Sequence, residues 1–311
     1  MHISVIVPAY KRPKLLINCL NSLKKQTRKA DKIYITARES DTGVINAVAK
    51  WKKNAGADIT SESIIVSKPG QSYAMNHAIR RIEKGIVCFV DDDAEAMEDW
   101  IEKIEKWYED PSIGGVGGFV LQHSGGSIDT GKTEIVGKVT WFGKIIGLHH
   151  YEVPGVKEVT FLKGCNMSYR RECLPLSDEN LTYEQFYDEV DVGLTVKEKG
   201  YRVVFDPDIK VTHYDSRQFY IAKRRQLKAR RIWSNNFNYI YVMLKHFKFP
   251  QILAIFFYSF FFMRSSFSGF IPFFERKVKS GKPDWSILWA SLQGKFSGIE
   301  GYLRWSKNKA K

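Results

Sequence analysis

The chain has 311 residues, 44% hydrophobic and 26% charged, a globular composition that provides a sizeable core in one large domain or in a domain with an appendage. Its net charge of +14 is unevenly placed: residues 217–311 carry 19 Lys/Arg against three acids (Glu275, Asp284, Glu300), and residues 1–216 are nearly neutral. Cys19, Cys88, Cys165 and Cys173 have no CxxC spacing or His pairing of the zinc-site kind, and "MHISVIVPAY" is too short an apolar run for a signal peptide, so a reducing cytoplasm is expected.

Taken in order, "ISVIVPAY" reads as a buried strand ending at Pro8. "RPKLLINCLNSLKKQ" reads as a helix with Pro13 at its start and Leu16, Cys19, Leu20 and Leu23 on one face. "KIYITA" is a second strand, followed by a helix through Val44, Ala47, Val48 and Trp51. "SIIVS" is a third strand, and "SYAMNHAIRRIEKG" a helix stopped by Gly85. "IVCFV" is a fourth strand, and "MEDWIEKIEKWYED" an amphipathic helix. This alternation predicts an α/β fold, a Rossmann-like, mostly parallel sheet with helices on both faces. Ligands of such sheets bind beyond the carboxyl ends of the strands, where Pro8–Tyr10, Thr36–Glu39 and Asp91–Asp93 converge.

From Gly114 to Phe161 the pattern turns glycine-rich and irregular, with short strands expected. "YDEVDVGLTVKEKG" suits a helix, and "YRVVFDPDIKVTHYDS" reads as two short strands around Asp206–Asp208. Beyond Arg217 the chain is basic, aromatic and helical in pattern.

"FVDDDAEAMEDW" leads a buried strand straight into three carboxylates. At spacings of about 5 Å and an effective dielectric near 20, each pair repels by roughly 3 kcal/mol. One aspartate would suffice to cap the next helix; three suggest a divalent cation, Mg2+ or Mn2+, held together with substrate phosphates.

"SVIVPAYKRPKLLINCLNSLKKQT", "PGQSYAMNHAI", "FVDDDAEAMEDWI", "LKGCNMSYRRE" and "YDEVDVGLTVKEKGYRVVFDPDIKVTH" occur in the order seen in family 2 glycosyltransferases of the GT-A fold. The resemblance covers residues 1–215. It implies transfer of a sugar from a nucleotide-diphosphate donor to an acceptor hydroxyl, with inversion. By that resemblance Pro8, Ala9 and Tyr10 look like the loop meeting the nucleoside, and Arg12, Arg38, Glu39 and Asn76 fall among the nucleotide-sugar contacts. Asp91, Asp92 and Asp93 look like the DxD motif. Asp93 would be the direct metal ligand, Asp91 and Asp92 would face the ribose and donor sugar, and Asp91 and His213 would complete the metal set. Asn166 resembles a packing or donor-contact position. The cluster Asp188-Glu189-Val190-Asp191 resembles the catalytic-base motif at a helix start, with Glu189 as the preferred base, Asp188 next and Asp191 bracing the site. An acidic first turn is also favoured simply by the helix dipole.

Three departures stand out. "TARESDTG" places Arg38 where the family commonly has an acid, which leaves the nucleotide base open. The acidic pair runs Asp-Glu rather than Glu-Asp. "RRIW" is only an echo of the QxxRW motif of processive synthases, so a single addition is expected.

The predicted domains are 1–215, divided into a nucleotide-sugar half (1–113) and an acceptor half (114–215), and a basic helical region at 216–311. In that region Lys223, Arg224, Arg225, Arg230 and Arg231 suit the donor diphosphate or anionic lipid. "FPQILAIFFYSFFFM" is uncharged for 15 residues. A helix of that length spans about 22 Å against a hydrocarbon core near 30 Å, so it is expected to lie in the membrane interface rather than cross it. The alternatives are a helix packed on the catalytic domain or a contact between copies in a homo-oligomer. The expected partners are therefore a nucleotide-diphosphate sugar, a lipid-linked or cell-envelope glycan acceptor and the inner face of the cell membrane, with no nucleic acid. The rivals are a sugar nucleotidyltransferase and a non-catalytic module binding polyanions or membranes. The absence of any glycine before Gly43 argues against the first, and the two acidic clusters against the second.

Overall fold

The computed structural model describes residues 1–55, 59–124, 127–182, 187–214, 224–264, 269–280 and 285–309. The amino-terminal part alternates as expected: β1 (Ile3–Ala9), α1 (Pro13–Lys24), β2 (Lys32–Arg38), α2 (Thr42–Ala55), β3 (Ser61–Val66), α3 (Gln71–Ile79) and β4 (Ile86–Phe89). There follow β5 (Ala94–Ala96), α4 (Trp100–Trp107), β6 (Ile113–Ser124), β7 (Ser127–Asp129), β8 (Lys138–Val139), β9 (Ile145–Ile146), β10 (Lys157–Glu158), β11 (Met167–Arg170), α5 (Tyr187–Glu198) and β12 (Arg202–Tyr214). The remaining elements are α6 (Arg224–His246), α7 (Gln251–Phe257), a π-helical turn (Tyr258–Phe262), α8 (Phe270–Ser280) and α9 (Trp285–Lys309).

The chain divides into two units. The first comprises Met1–Lys138, Gly147–Ser177 and Val192–Gln218; the second comprises Val139–Ile146, Asp178–Asp191 and Phe219–Lys311. The segment Asp178–Asp191, counted by sequence with the first domain, thus groups with the carboxyl-terminal helices.

In the first unit one sheet runs β10-β12-β6-β11-β4-β1-β2-β3, with β5 added to β12 and β7 to β6. Strands β4, β1, β2 and β3 are parallel, β11 is antiparallel to both neighbours, and β12 is parallel to β6. Because successive side chains of a strand face opposite ways, each strand feeds two cores. Val5, Val7, Ile33, Ile35 and Cys88 join Leu16, Leu20, Val48, Trp100 and Ile104 on one face. Ile6, Tyr34, Val87 and Phe89 join Met75, Ile79, Val192 and Val196 on the other. Helices therefore cover both faces.

Three elements differ from the sequence expectation. Helix α3 stops at Ile79, and the chain tightens through bonds from the Arg81 and Ile82 N–H groups to the Ala78 and Ile79 carbonyls. The glycine-rich stretch after Ile113 is a 12-residue strand in the middle of the sheet. Its glycines serve close approach rather than looping: a Cβ at Gly117 would lie 2.3 Å from the Asn166 carbonyl oxygen, and one at Gly118 would lie 2.1 Å from that of Ile209. The "two short strands" near Asp206 are one strand of 13 residues, whose register slips between Asp206 and Lys210 and so accommodates Pro207.

In the second unit α6 and α9 pack closely. Added Cβ atoms at Gly294 and Gly298 would lie 2.4 and 2.7 Å from the Trp233 and Phe237 carbonyl oxygens, so glycine at a four-residue interval sets the helix separation. Ser291 donates to Asn236 across the buried seam at 3.2 Å, and the buried Lys295 ammonium donates to the Ser259 carbonyl at 2.8 Å. Among the described residues no helix is long and apolar enough to cross a membrane.

His149 ties the sheet to the 159–161 segment. Its Nε2 meets the Phe161 carbonyl at 3.2 Å, and burial holds its pKa down from 6.5 to about 3. Between those values the unfolded chain binds a proton that the folded chain refuses, so stability falls as pH drops below 6.5. Denaturant unfolding at pH 6.5 and pH 5 should show the wild type losing about 2 kcal/mol more than His149→Gln over that interval.

Candidate functional site

The chain leaves β4 at Phe89, passes through Val90 and turns at Asp91-Asp92-Asp93 into β5. Pairing of β5 with β12 sets His213 opposite Ala94, and the Tyr214 N–H donates to the Asp93 carbonyl at 2.9 Å. The sheet register thereby delivers His213 from 120 residues away to the aspartates. Its Nε2 lies 3.1 Å from Asp93 Oδ1 and 3.9 Å from Asp91 Oδ2, while its Nδ1 is 3.0 Å from Gln122 Oε1 on β6. Gln122 Oε1 accepts from the Nδ1–H, which fixes the ring so that Nε2 faces the carboxylates, the arrangement that orients a metal-binding imidazole.

Arg12 enters from the other side, just before Pro13 opens α1, and its guanidinium pairs with both Asp92 and Asp93. Asp92 is fully buried and also accepts the Tyr10 N–H at 2.9 Å. It was expected to face the donor. With its carboxylate sealed beneath the 10–12 loop, it instead holds that loop in place. Next to it Lys11 has a φ of 58°, a left-handed conformation uncommon for a residue with a Cβ, and its N–H is taken by Asp41. Asp91 is the outermost of the three, and Gln71 Nε2 lies 3.4 Å from its Oδ1.

Electrostatics follow from this crowding. Burial, only partly offset by Arg12 and added to by Asp93, lifts Asp92 to about 7. Burial and the Asp93 charge raise Asp91 as well. Burial works to lower His213, but the hydrogen bond and charge of Asp93 and the charge of Asp91 outweigh it and raise its pKa. Two of the three adjacent carboxylates thus hold protons more tightly than usual, the mark of a site short of positive charge.

The donor set fits a divalent cation. Asp91, His213 and Cys165 place ligand atoms within 4.8 Å of one another, and Asp93 shares His213 with Asp91. The carboxylates and imidazole suit a hard ion; the buried Cys165 thiol is a softer donor. Pro8 lies opposite Thr36 in the sheet, and beside them Thr36 Oγ1 and Arg38 Nε are buried without a hydrogen-bond partner among the described residues. Orphaned polar atoms of this kind mark a place where a ligand or water completes the bonding. Glu39 follows, exposed, its N–H bonded to the Val66 carbonyl.

Asn76 and Asn166 are both tied into the first unit by buried hydrogen bonds. The Asn76 amide is buried and bonds both ways to the Ser177 backbone, at 2.8 and 2.9 Å. Asn166 accepts from Trp100 Nε1 and donates to the Phe119 and Ile209 carbonyls.

The second acidic cluster lies in the second unit. Asp188 and Glu189 occupy the first turn of α5, where the helix dipole favours them, and Glu189 is buried. Asp191 is locked to the end of α6: Lys245 Nζ lies 2.8 Å from both Asp178 Oδ2 and Asp191 Oδ1, and His246 Nε2 is 2.8 Å from Asp191 Oδ1. Tyr241 OH donates to Asp178 at 2.8 Å. Burial works to lower Lys245, yet the charges of Asp191 and Asp178 outweigh it and raise the lysine; burial works to raise Asp178, yet the charge and hydrogen bond of Lys245, with bonds from Asn180 and Tyr241, lower it. Beside this network, Glu179, Asn180, Thr182, Arg230, Trp233 and Ser234 line a cavity of 240 Å³. Arg230 is exposed on its wall. The side chains of Arg224 and Arg225, and Lys223 altogether, lie outside the described residues.

Gln71, Gln122, Lys245 and His246 carry no role in the sequence reading. A signal existed for the last two: "NYIYVMLKHF" puts a Lys-His pair in an otherwise apolar run, where a buried charge requires a partner.

A family model described as "Glycosyltransferase like family 2" matches residues 2–234. No curated protein matches the chain significantly by sequence. Among solved structures, the mannosyltransferase PcManGT from Pyrobaculum calidifontis, in complex with GDP-Man and Mn2+, is similar with a TM-score of 0.56 and 16% identity, over 97% of this chain and 87% of that one. TarS of S. aureus (residues 1–349) is similar with a TM-score of 0.55 and 14% identity, over 100% and 92%. GalNAc-T7 with UDP, GalNAc and Mn2+ has a TM-score of 0.57 and 15% identity, over 78% and 48%. At such identities the likeness establishes the fold, which is the expected α/β architecture.

Removing Lys245 takes the ammonium from two shielded carboxylates, leaving Asp178 with Tyr241 and Asp191 with His246. Lys245→Met is expected to lower the unfolding free energy by about 3 kcal/mol in chemical denaturation, and Lys245→Arg, which keeps the charge, by clearly less.

Proposed function

The chain belongs to glycosyltransferase-like family 2, and from that membership we propose a metal-dependent, inverting transferase that moves a single sugar from a nucleotide-diphosphate donor to a hydroxyl of a lipid-linked or cell-envelope glycan. The observation that carries this reading is the gathering of Asp91, Asp93 and His213 at the carboxyl end of β4, beside the unsatisfied polar atoms of Thr36 and Arg38. The Mn2+ and nucleotide sugars bound by PcManGT and GalNAc-T7 support it.

Asp91, Asp93 and His213 would hold Mn2+ or Mg2+, with Gln122 orienting the imidazole. The ion, when bound, supplies Lewis-acid stabilisation of the departing nucleotide diphosphate. Arg12 neutralises Asp92 and Asp93, and its planar guanidinium suits phosphate oxygens equally well. Pro8–Tyr10, held by Asp92, together with Thr36, Arg38 and Glu39, receive the nucleoside.

On the acceptor side one carboxylate must take the hydroxyl proton as that oxygen attacks the anomeric carbon from the face opposite the leaving group. The new C–O bond forms, the bond to the diphosphate breaks with its electron pair leaving on the phosphate, and configuration inverts. Glu189 is assigned this role, with Asp188 as the alternative. Asp191, committed to Lys245 and His246, positions the turn and does not serve as base. The cavity beside Trp233 combines an indole with hydroxyl, amide and charged groups, the chemistry that receives a sugar ring, and is assigned to the acceptor. Arg230 on its wall would contact that acceptor or its phosphate, and the basic stretch including Arg224 and Arg225 would meet diphosphate or lipid at the inner face of the membrane.

Thermal-shift titration of UDP, GDP, dTDP and their sugars with Mn2+ tests the donor site. A ligand at a hundredfold excess over its dissociation constant adds about 2.7 kcal/mol of apparent stability. Asp93→Ala should lose the metal-dependent shift entirely; an unchanged shift overturns the metal assignment. Glu189→Gln should keep the shift while turnover falls by about 10²–10⁴-fold, and undiminished turnover overturns the base.

A further inference from the structure

Outside the site, the second unit carries an exposed aromatic surface that no part of the transfer reaction uses. Phe257 at the end of α7 is 59% exposed, and Phe261 and Phe262 in the π-helical turn are 41% and 45% exposed. Their rings touch, with centroids 5.2 Å apart for Phe257 and Phe261 and 5.5 Å for Phe257 and Phe262. The surface continues onto two further helices. Phe261 meets Phe270 of α8 at 5.8 Å, and Phe260 meets Phe296 of α9 at 6.1 Å. Phe274 of α8 and Trp289 and Phe296 of α9 are exposed as well, Trp289 by 63%, and the pairs Phe270/Phe274 and Trp289/Phe296 stand at spacings that share a helix face. Four elements, α7, the π-helical turn, α8 and α9, therefore present exposed aromatic side chains, and clustered exposed apolar surface of this kind marks an interaction site.

Charge selects its partner. No charged residue occurs from Phe249 to Met263, yet Lys248 and Arg264 bracket the run, and Arg276, Lys277 and Lys279 end α8. Residues 217–311 hold 19 basic residues against three acids. A second copy of the chain would bring two such positive regions together, whereas an anionic surface neutralises one. No described helix is long and apolar enough to cross a membrane, and Phe and Trp flanked in sequence by Lys and Arg are the side chains that settle at the headgroup level.

We propose that this face, formed by α7, the π-helical turn, α8 and the first turns of α9, docks on an anionic lipid bilayer. Its rings enter the headgroup region and the surrounding basic residues engage lipid phosphates. The inference deepens the membrane part of the proposed function by naming the surface, and it rests on no assignment in the donor site.

The test is co-sedimentation of the full chain with phosphatidylcholine vesicles, with and without 30% phosphatidylglycerol, at low and high salt. Binding to the anionic vesicles, weakened at high salt and accompanied by a blue shift of tryptophan emission, is expected. The variant Phe257→Ser/Phe261→Ser/Trp289→Ser should bind at least tenfold more weakly while keeping its Mn2+-dependent nucleotide shift, which also reports that the first unit is folded. Should that variant fail to fold, Lys248→Glu together with the wild-type salt dependence reads the same interaction. No binding to either vesicle, equal binding to neutral vesicles, or wild-type binding by the folded triple variant overturns the proposal. So does a wild-type dimer that the triple variant dissolves without any vesicle binding by the wild type. Because the nucleotide shift is measured in parallel, loss of lipid binding and loss of donor binding are read separately.

Discussion

Arg12 and His213 reach the three adjacent aspartates from opposite sides, and the geometry of the first unit depends on that meeting. Carboxylates this close repel by kilocalories each, and burial removes the water that would screen them. Asp92 can be sealed inside because it accepts the Tyr10 N–H and pairs with a guanidinium; Asp93 can be nearly sealed because it shares an imidazole and a guanidinium. The bond from Tyr10 to Asp92 in turn fixes the loop after β1, so the turn after one strand shapes the loop after its neighbour. Asp91 is left at the rim with partial access to solvent. The outcome is an inner carboxylate that braces the loop, a second one shared between Arg12 and His213, and a third, Asp91, at the rim.

The second unit rests on a different interaction of the same kind. Lys245, half-buried near the end of α6, neutralises Asp178 and Asp191 at the two ends of one 14-residue segment. Between them lie Asp188 and Glu189, the candidate proton acceptors. A buried ion network adds little net stability compared with apolar packing, but it fixes position strictly because breaking one member strands the rest. The basic carboxyl-terminal region therefore supplies more than surface charge: its first long helix carries the cation to which the acidic turn is anchored.

Much of the fold was legible because local signals and global demands agree in the first 110 residues. Period-two apolar runs became strands with two cores, and apolar stripes at helical spacing became helices covering them. Agreement failed where a residue's local meaning differs from its use in space. Gly114, Gly115, Gly117 and Gly118 look like a loop, yet they form a central strand because neighbouring backbone and side chains crowd the positions a Cβ would fill. Pro207 looks like a strand break, yet a register slip absorbs it.

From the sequence alone came the chemistry: three carboxylates after a buried strand, an acidic helix start, a histidine following a later strand and a basic aromatic carboxyl-terminal region. These are properties of residue type and order, which composition and periodicity carry directly. Which aspartate is sealed and which is open, which lysine holds Asp191, and that Gln122 orients His213 are matters of pairing between residues some 50 to 90 positions apart. Pairing at such distances is set by sheet register and helix packing, where a shift of one residue turns a side chain to the opposite face. No local pattern encodes that choice, and only the tertiary structure decided it.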